Sequence, residues 1–382
     1  MRVVIAGGGI AGVECALTIA LGRRDTDVTL IHQWPSLRIL PNLVYVPFGV
    51  SAHRLDIPIV ENLEAHGIRC ISGTVEQIDA DARIVLVDGA AISYDKLVLA
   101  PGTEPVRVAA RTLRSLDDAL LLRGDLEKIE RARHGDVTVL QLPENTWPAP
   151  GYELAALLGT WRRAYSLNDV SIRLVTSAQT PLGMFGIDAA DVITGRLDEL
   201  GVTVISGVPA GRVEELTDSG LTIDMIDLAA RRIPGGPPTN LDGFYATGAD
   251  GSIAPDMYAV GDAADLPFKA AFATSWQARR VLLAIGGDLR NLGANIDGVP
   301  VTECEYQMDL GNGSMVVRMP AREHLVGTWT ELLAGEDTEI HDRPPDKLRG
   351  TLIRHYLLEA HADKNAARTF QELMREHDSI TR

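Results

Sequence analysis

Short apolar runs alternate with amphipathic stretches along most of the chain, and this alternation predicts layers of parallel strands and helices. Val3–Ile5 forms a first strand, a helical pattern continues to Ala20, and "DVTLIH" is the next strand. A second series has strands at 136–142, in "DVSIRLVTSA" and in "VTVISG", with helices at 152–166 and in "DAADVITGRLDELG". Strands that alternate with helices in this way are typical of a doubly wound parallel sheet.

A glycine motif lies between the first strand and the first helix. Gly7, Gly9 and Gly12 make GxGxxG, and Ile10 and Ala11 begin the helix. The first glycine permits a tight turn, the second lets a pyrophosphate approach, and the third lets the helix pack closely on the sheet. A lone GxGxxG is weak, but one framed by a strand and a helix predicts a dinucleotide site in a Rossmann-like fold.

The end of the second strand departs from the usual pattern. An acidic residue about 20 residues after the glycines commonly binds the adenosine ribose, and this chain has His32 and Gln33 there. Both remain candidate ribose contacts. Arg38 is a candidate phosphate contact, with a solvated arginine as the alternative, and Val75 is included among the candidate cofactor residues.

Two distant segments identify the nucleotide. "ISYDKLVLAPGTEP" at 92–105 resembles the YDxLVxATG segment of the two-dinucleotide-binding flavoproteins, with Pro101 in place of threonine. "GFYATGADGSIAPDMYAVGDAADLP" at 243–267 resembles their late FAD motif, in which an aspartate reaches the ribityl chain. The resemblance implies FAD and assigns it two groups of contacts, which are Ala100, Pro101 and Gly102, and Gly261 and Asp262.

The order of these segments predicts that a second domain is inserted into the first. We expect an FAD-binding domain at 1–110 and 240–292, an NAD-binding-like domain at 111–239, and C-terminal strands and helices at 293–382. The predicted fold class is therefore α/β, with two Rossmann-like three-layer domains and a small C-terminal α+β region.

The second domain lacks a glycine-rich phosphate loop. Its strand-to-helix turn reads "PENTWPAPGYELA", and prolines stiffen a turn and remove N–H donors. Trp147 adds bulk, and Thr176 and Ser177 stand where a ribose-binding acid would be expected. We predict that the pyridine-nucleotide site is degenerate and that NADH and NADPH reduce the flavin poorly.

This turn resembles the GPxYE stretch of sulfide:quinone oxidoreductases and of the flavoprotein subunit of flavocytochrome c sulfide dehydrogenases. "VTLIHQWPSLRILPNLVYVPFG", "TPLGMFGIDAADVITGRLDELGVTV" and "PFKAAFATSWQARRVLLAI" resemble the same branch. The resemblance extends to about residue 320 and reaches type II NADH dehydrogenases more distantly. It implies that the turn lines a substrate channel over the flavin.

The resemblance also implies three residues for the chemistry. Lys269 matches a lysine beside the flavin pyrimidine edge, with a surface lysine as the alternative. Glu153 matches the glutamate of the YE element and is a candidate proton carrier, with a helix N-terminal carboxylate as the alternative. Cys304 matches one of two family cysteines, but Trp147 replaces the other. A disulfide cycle needs both sulfurs, so sulfide turnover by that route is not expected.

The composition of the chain limits the kinds of molecule that we expect it to bind. The 382 residues carry a net charge of −16, which argues against a nucleic-acid partner. Three cysteines without a CxxC pair indicate a reducing compartment and no metal site. Because an apolar run leads directly into the glycine motif, we expect no N-terminal signal and a cytoplasmic protein. The C-terminal helical stretch carries Leu348, Leu352, Tyr356 and Leu357 on one face. Its alternatives are packing on the body or a homodimer, which the mixed charges favour, and peripheral contact with the inner face of the membrane.

These observations predict an FAD-dependent oxidoreductase that passes electrons from a small-molecule donor through flavin to a quinone or another acceptor. Two alternatives stay open. One is a type II NADH dehydrogenase-like or ferredoxin-reductase-like enzyme that uses NAD(P)H. The other is a flavin-binding sensor or subunit without turnover, and placement of Lys269 and Glu153 beside the flavin would favour an enzyme over it.

Overall fold

The fold is described from a computed structural model over residues 1–106, 109–142, 149–209, 212, 220–266, 269–320, 337–358 and 365–381. The turn around Trp147 and the stretch "HLVGTW" at 324–329 lie outside these ranges. What was predicted for those two segments therefore stays a prediction.

A six-stranded sheet forms the centre of the first domain. In spatial order its strands are β16 (Ser252–Ala254), β17 (Met257–Ala259), β9 (Lys96–Leu99), β1 (Arg2–Ala6), β2 (Asp27–His32) and β5 (Arg69–Ser72). All neighbours are parallel except the edge pair β16–β17. The late strand β17 pairs with β9, so the sheet joins chain segments that lie far apart in sequence, as the motif order predicted.

Both faces of this sheet are covered. Helices α1 (Ile10–Gly22) and α6 (Ala271–Ala284) pack together on one face, where Gly22 lies against Leu282. On the other face, Val4 and Leu97 pack against a three-stranded antiparallel sheet of β6 (Val75–Asp79), β7 (Ile84–Val87) and β8 (Ala90–Ser93). Burial of both faces explains why the strands are continuously apolar.

The second domain has its own parallel sheet. Its strands, in spatial order, are β13 (Thr203–Ile205), β12 (Asp169–Thr176), β11 (His134–Gln141) and β14 (Leu221–Asp224). Its helices are α3 (Leu116–Ala132), α4 (Ala149–Ala164) and α5 (Ile187–Glu199). The short strands β10 (Thr103–Pro105) and β15 (Leu228–Ala230) form a separate antiparallel pair. The predicted α/β class with two Rossmann-like domains is confirmed.

The C-terminal part adds an antiparallel sheet and a helix. After the short β18 (Asn295–Ile296) and β19 (Val299–Pro300), strands β20 (Glu303–Asp309), β21 (Ser314–Pro320) and β22 (Asp337–His341) pair in sequence order. A π-helical turn at Arg354–Leu358 and helix α7 (Ala366–Thr381) follow. No helix in the described ranges is long and apolar enough to cross a bilayer.

The C-terminal residues pack on the body of the protein. Leu348, Leu352 and Leu357 are buried in the core of the first domain. Phe370 of α7 is fully buried, with its ring centroid 5.8 Å from that of Tyr45 and 5.3 Å from that of Phe48. These contacts agree with the packing alternative for the apolar face of this region.

A buried carboxylate joins the C-terminal segment to the first helix of the dinucleotide fold. Glu14 is fully buried, and its two carboxylate oxygens each accept a backbone N–H at 3.0 Å, from Leu352 and from Ile353. Arg279 of α6 donates to the carbonyls of Val301 at 2.6 Å and Gly350 at 2.9 Å. The side chains of two first-domain helices thus satisfy backbone groups of the C-terminal region.

Candidate functional site

One large cavity lies where the first domain, the second domain and the C-terminal sheet meet. Its wall includes motif residues predicted to bind the cofactor, namely Gly9, Ile10, Ala11, Ala100, Gly102, Gly261 and Asp262. The catalytic candidates Glu153 and Lys269 line the same cavity. The fold therefore brings together residues that are up to 260 positions apart in the chain.

The glycines leave room for a diphosphate. A Cβ on Gly7, which has φ +128°, would lie 2.1 Å from the Ala100 carbonyl oxygen, and one on Gly12 would lie 1.8 Å from the Gly7 carbonyl oxygen. A Cβ on Gly9 would meet no atom within 4 Å, because Gly9 faces the cavity at the start of α1. The free N–H groups of that helix end point to the same place, so the geometry fits the FAD diphosphate.

Glycine is also required at the late motif. Gly261 has φ +75°, and a Cβ there would lie 2.5 Å from Ala11 Cβ, so the late loop packs directly on the first helix. The Gly261 N–H donates to Gln277 Oε1 at 2.7 Å, which holds the loop against α6. Asp262 is thereby placed on the cavity wall, where the family resemblance expects the ribityl chain. Pro101 lies between the two lining residues Ala100 and Gly102 and is not itself part of the wall.

Lys269 is buried at the start of α6 and has specific partners. Its Nζ donates to the Ala264 carbonyl at 2.6 Å and lies 3.7 Å from the centroid of the Phe244 ring. Burial lowers the pKa of Lys269 to about 8, although Asp262 and Asp265 act in the opposite direction. This placement on the cavity wall is not that of a surface lysine.

Arg114 is a cavity residue that the sequence did not single out. Its Nη2 donates to Thr103 Oγ1 at 3.3 Å, and burial lowers its pKa against the attraction of Asp262. Burial raises the pKa of Asp262, while Arg114 and then Lys269 act to lower it. Arg114 belongs to no short motif, because it precedes the capping residue Ser115 of a helix in the other predicted domain. Only the fold places it beside Asp262.

The candidates His32, Gln33 and Val75, near the end of the second strand, do not line this cavity. His32 is buried at the end of β2, with its Nδ1 3.0 Å from the Trp34 carbonyl oxygen. Gln33 Nε2 donates to Thr74 Oγ1 at 3.1 Å, next to Val75 at the start of β6. The Gln33 contact links the end of β2 to the segment before β6.

Arg38 has a carboxylate partner on the neighbouring strand. Its guanidinium makes two bonds to the Asp56 carboxylate, from Nε at 2.7 Å and from Nη2 at 2.8 Å, across the β3–β4 pair (Ser36–Arg38 and Asp56–Pro58). A bidentate pair of this kind satisfies both the charge and the geometry of the guanidinium. Arg38 is thus paired with Asp56 and remains 38% exposed, and its role as a phosphate contact stays a prediction.

The second polar group of the cavity is a buried ion pair between Glu153 and Lys347. Lys347 Nζ lies 2.7 Å from Glu153 Oε2, and the two side chains are only 7% and 6% exposed. Lys347 also donates to the Pro41 carbonyl at 2.8 Å and lies 4.7 Å from the Tyr45 ring centroid. The Glu153 carboxylate is thus paired with a cation, in addition to any stabilisation that the N-terminal end of its own helix gives it. No sequence signal pointed to Lys347, which lies 194 residues away in a segment without a motif.

Asp309 extends this polar group away from the cavity. Its backbone N–H donates to Glu153 Oε1 at 2.9 Å, and its carboxyl accepts from Tyr45 Oη at 3.0 Å. Burial, and then the negative charge of Glu153, raise the pKa of Asp309 to about 7. A carboxyl group that changes charge near neutral pH therefore lies directly behind the cavity wall.

Cys304 does not reach the cavity. It is buried on β20, and burial raises the pKa of its thiol to about 11, although Arg279 acts in the opposite direction. A thiol of that pKa holds very little of the reactive thiolate at neutral pH. Cys15 and Cys70 are also free, and burial raises the pKa of both thiols. The structure therefore gives no reason to assign the candidate Cys304 a redox role.

Polar groups at the ribose end of the second nucleotide fold bond to other protein groups. Tyr152 is fully buried, and its hydroxyl donates to Thr176 Oγ1 at 3.2 Å at the end of β12. Ser177 Oγ donates to the Leu142 carbonyl at 2.5 Å. In the first turn of α4, a Cβ on Gly151 would lie 2.4 Å from Gln141 Oε1, so this helix start is closely packed. These contacts occupy polar groups that could otherwise face a nucleotide.

Comparisons with known proteins agree with this fold and with these motifs. Residues 1–138 match the family model described as pyridine nucleotide-disulphide oxidoreductase. Putidaredoxin reductase from Pseudomonas putida is 32% identical over 145 residues, which cover 33% of this chain and 33% of that protein. The chain thus spans a third of the length of this curated relative. The ferredoxin–NAD(+) reductase component of the p-cumate 2,3-dioxygenase system of Pseudomonas putida is 26% identical over 290 residues, covering 70% and 68%.

The sulfide:quinone oxidoreductase of Aquifex aeolicus is a solved structure with the same fold. It superposes with a TM-score of 0.73 over 99% of this chain and 92% of that chain, at 19% sequence identity. At this identity the likeness shows the fold alone. It includes the C-terminal region as well as the two Rossmann-like domains.

The fold and the motifs are those found in FAD-dependent oxidoreductases, which is the class of protein to which these comparisons point. Residues 1–138, about a third of the chain, are similar to the pyridine nucleotide-disulphide oxidoreductase family. The expected cofactor, FAD, is confirmed at this level, and the site residues described above are those that we assign to it.

Proposed function

We propose that this protein passes electrons from a small reductant, through FAD, to an apolar acceptor with carbonyl groups, of the quinone type. The observation that carries the proposal is the cavity itself, which joins the dinucleotide motifs to an apolar wall and to the Glu153–Lys347 pair. The apolar wall consists of Leu40, Pro41, Leu43, Val44, Leu113, Met225, Phe272 and Tyr306. An apolar pocket with a few convergent polar groups is typical of a small-molecule site.

Each polar residue of the cavity has a role in this proposal. FAD supplies the electron chemistry, and the protein supplies position and charge. The start of α1 at Gly9 binds the diphosphate, and Asp262 binds the ribityl chain. Lys269 places a positive charge at the pyrimidine edge of the flavin. Such a charge stabilises an anionic group beside it, because the site is desolvated.

Glu153 and Lys347 are the proton-carrying groups for the acceptor. A quinone that gains two electrons also gains two protons, so the acceptor site needs groups that deliver them. Both side chains line the cavity, and their 2.7 Å contact gives a short path for a proton between them. This placement favours an enzyme over a flavin-binding sensor.

An NAD(P)H-dependent ferredoxin or NADH reductase is the second candidate. The ferredoxin–NAD(+) reductase component from Pseudomonas putida, which aligns over 70% of this chain, favours it. The Tyr152–Thr176 bond and the close packing of Gly151 favour the first proposal, because they occupy the second nucleotide fold. We therefore expect NADH and NADPH to bleach the flavin slowly.

The first test separates the two half-reactions. FAD-loaded protein is mixed anaerobically with NADH, NADPH or sulfide, and flavin bleaching is recorded. Photoreduced protein is then mixed with a water-soluble quinone or with ferricyanide, which takes electrons without protons. We expect the quinone to reoxidise the flavin rapidly, and Glu153→Gln to slow this step at least about tenfold while ferricyanide oxidation is unchanged.

Glu61→Gln is the matched control, because Glu61 is exposed in α2 (Val60–Ala65). The proposal is wrong if quinones leave the reduced flavin intact while micromolar NADH bleaches it within a turnover time. That result would establish the reductase alternative.

A further inference from the structure

Gln307 lines the same cavity and is held there by two hydrogen bonds. It lies on β20 and is 3% exposed. Its Oε1 accepts the backbone N–H of Asp346 at 2.7 Å, and its Nε2 donates to the carboxylate of Glu305. A primary amide has one oxygen and two N–H donors, so these bonds use the oxygen and only one donor. In the part of the chain that the structure describes, the second N–H of Gln307 has no acceptor.

The orientation of the Gln307 amide is fixed by its two partners. Glu305 lies on the same strand, is buried, and pairs with Arg349 at 3.2 Å and with Arg318 at 3.5 Å. An ionised carboxylate can only accept hydrogen bonds, and a backbone N–H can only donate them. Exchange of the amide oxygen and nitrogen would therefore break both bonds at once. The amide nitrogen, with its second N–H, is thus held in one place on the cavity wall.

Gln307 lies next to the Glu153–Lys347 pair. Its oxygen holds Asp346, the residue immediately before Lys347. Two residues further along β20, the backbone N–H of Asp309 donates to Glu153 Oε1. Strand β20 is therefore hydrogen-bonded both to Glu153 and to the segment that carries Lys347. This part of the cavity offers a bound molecule an amide N–H as well as the ion pair.

We propose that Gln307 is a specificity-determining residue, which donates its second N–H to a carbonyl oxygen of the electron acceptor. This inference rests on the proposed electron transfer to a quinone-type acceptor. A carbonyl oxygen satisfies the buried N–H, whereas an apolar molecule of the same shape leaves the N–H without a partner. Sites that hydrogen-bond a ligand reject an analogue without that group more strongly than apolar pockets reject a small change in size. The apolar wall therefore selects the shape of the acceptor, and Gln307 selects for its oxygen.

The role of Gln307 differs from that of the ion pair. An amide supplies a hydrogen bond but gives up no proton at ordinary pH, so the protons for the acceptor still come from Glu153 and Lys347. Loss of the Gln307 donor should therefore weaken binding of the acceptor, whether or not the flavin is reduced. Loss of Glu153 should instead slow proton delivery.

The experiment measures binding to the oxidised, FAD-loaded protein, without turnover. Menadione is compared with 2-methylnaphthalene, which has the same two rings and methyl group but no oxygen. We expect Gln307→Met to weaken menadione binding about five- to tenfold and not to weaken binding of 2-methylnaphthalene. Gln371→Met is the matched control, because Gln371 is also 3% exposed, lies on α7, and makes no side-chain hydrogen bond within the described ranges. It should leave both Kd values unchanged.

A second variant removes the donor and keeps the two bonds that hold the side chain. Gln307→Glu preserves the length of the side chain. Two carboxyl groups in contact at a buried site share one proton. At pH 6 the introduced carboxyl can therefore donate to Glu305 and accept from Asp346, and it has no further proton for a ligand. We expect the same loss of menadione binding as in Gln307→Met, with the FAD content of the wild type.

The outcomes separate this inference from the proposed function. Menadione binding as tight in both variants as in the wild type would overturn the inference, and so would an equal loss for both ligands, which indicates lost packing. A changed flavin absorption spectrum in ligand-free Gln307→Met would also overturn it, since Gln307 would then contact the flavin. If bound menadione leaves the photoreduced flavin of the wild type intact, the proposed function is wrong and the binding result stands. Absence of menadione binding to the wild type would overturn both.

Discussion

Burial of Lys269 brings the pKa of its side chain closer to neutral pH. The residue is 7% exposed, and its ammonium group lies near a carbonyl, an aromatic face and the more distant carboxylates of Asp262 and Asp265. These partners stabilise the charged form only partly, so desolvation lowers the pKa of Lys269 to about 8. A neighbouring anion would restore the charged form.

Binding of FAD should therefore raise the pKa of Lys269 and take up protons. If the pKa of Lys269 is higher in the complex than in the free protein, the charged lysine strengthens FAD binding at pH values below its pKa in the free protein. This gain in affinity is lost as the pH rises above about 8. Calorimetry at pH 8.5 in two buffers with different ionisation enthalpies should detect proton uptake that Lys269→Met abolishes. Lys128→Met, on the exposed face of α3, serves as control. Equal proton uptake by Lys269→Met and the wild type would contradict this assignment.

At the scale of elements, α1 has two tasks. Its N-terminus faces the cavity at Gly9, and its buried Glu14 holds the backbone of residues 352 and 353. The helix is buried along most of its length, so it contacts α6 and the C-terminal turn as well as the sheet. The C-terminal region is therefore anchored to the same helix that is assigned to the cofactor.

Replacement of Glu14 by alanine should destabilise the protein. It leaves two buried N–H groups without acceptors, and each such loss costs about 1–3 kcal/mol. We expect the free energy of unfolding in urea to fall by about 2–5 kcal/mol, with FAD retention weakened in parallel. Glu61→Ala, at an exposed site near the start of α2, should change stability by less than about 0.5 kcal/mol. A Glu14→Ala protein as stable as the wild type would show that the two hydrogen bonds of Glu14 make no net contribution to the free energy of unfolding.

At the scale of the whole molecule, the cavity exists only because three parts of the chain converge. The first domain contributes the dinucleotide motifs, the second contributes Glu153 on α4, and the segment after the C-terminal sheet contributes Lys347. Cys15 lies in the first-domain core, and Cys304 lies in the core that also contains the cavity residues Phe272 and Tyr306. None of the three cysteines lines the cavity.

Sulfide should therefore be a poor donor by the two-cysteine route. We expect little sulfide-dependent quinone reduction in steady-state assays, and Cys304→Ser should leave FAD content and quinone reoxidation of photoreduced flavin unchanged. The physical reason is that a buried thiol with a pKa of about 11 is neither a strong nucleophile nor within a disulfide partnership. Rapid sulfide turnover that Cys304→Ser abolishes would mean that another group replaces the missing cysteine.

The sequence by itself determined the two layered domains, the FAD motifs and the split first domain. These features can be recognised from short stretches of sequence. A position that has no room for a Cβ requires glycine, and a strand that is buried on both faces requires a continuous run of apolar residues. It also singled out Glu153 and Lys269, which line the cavity, and Arg38, which pairs with Asp56.

Only the tertiary structure decided the partners of Glu153, because Lys347 and Asp309 lie 194 and 156 residues from it and belong to no motif. The placement of Arg114 beside Asp262 has the same origin. The strength of an ion pair in a desolvated cavity depends on the distance between the two charged groups and on how deeply they are buried. Neither quantity can be predicted from the spacing of the two residues along the chain.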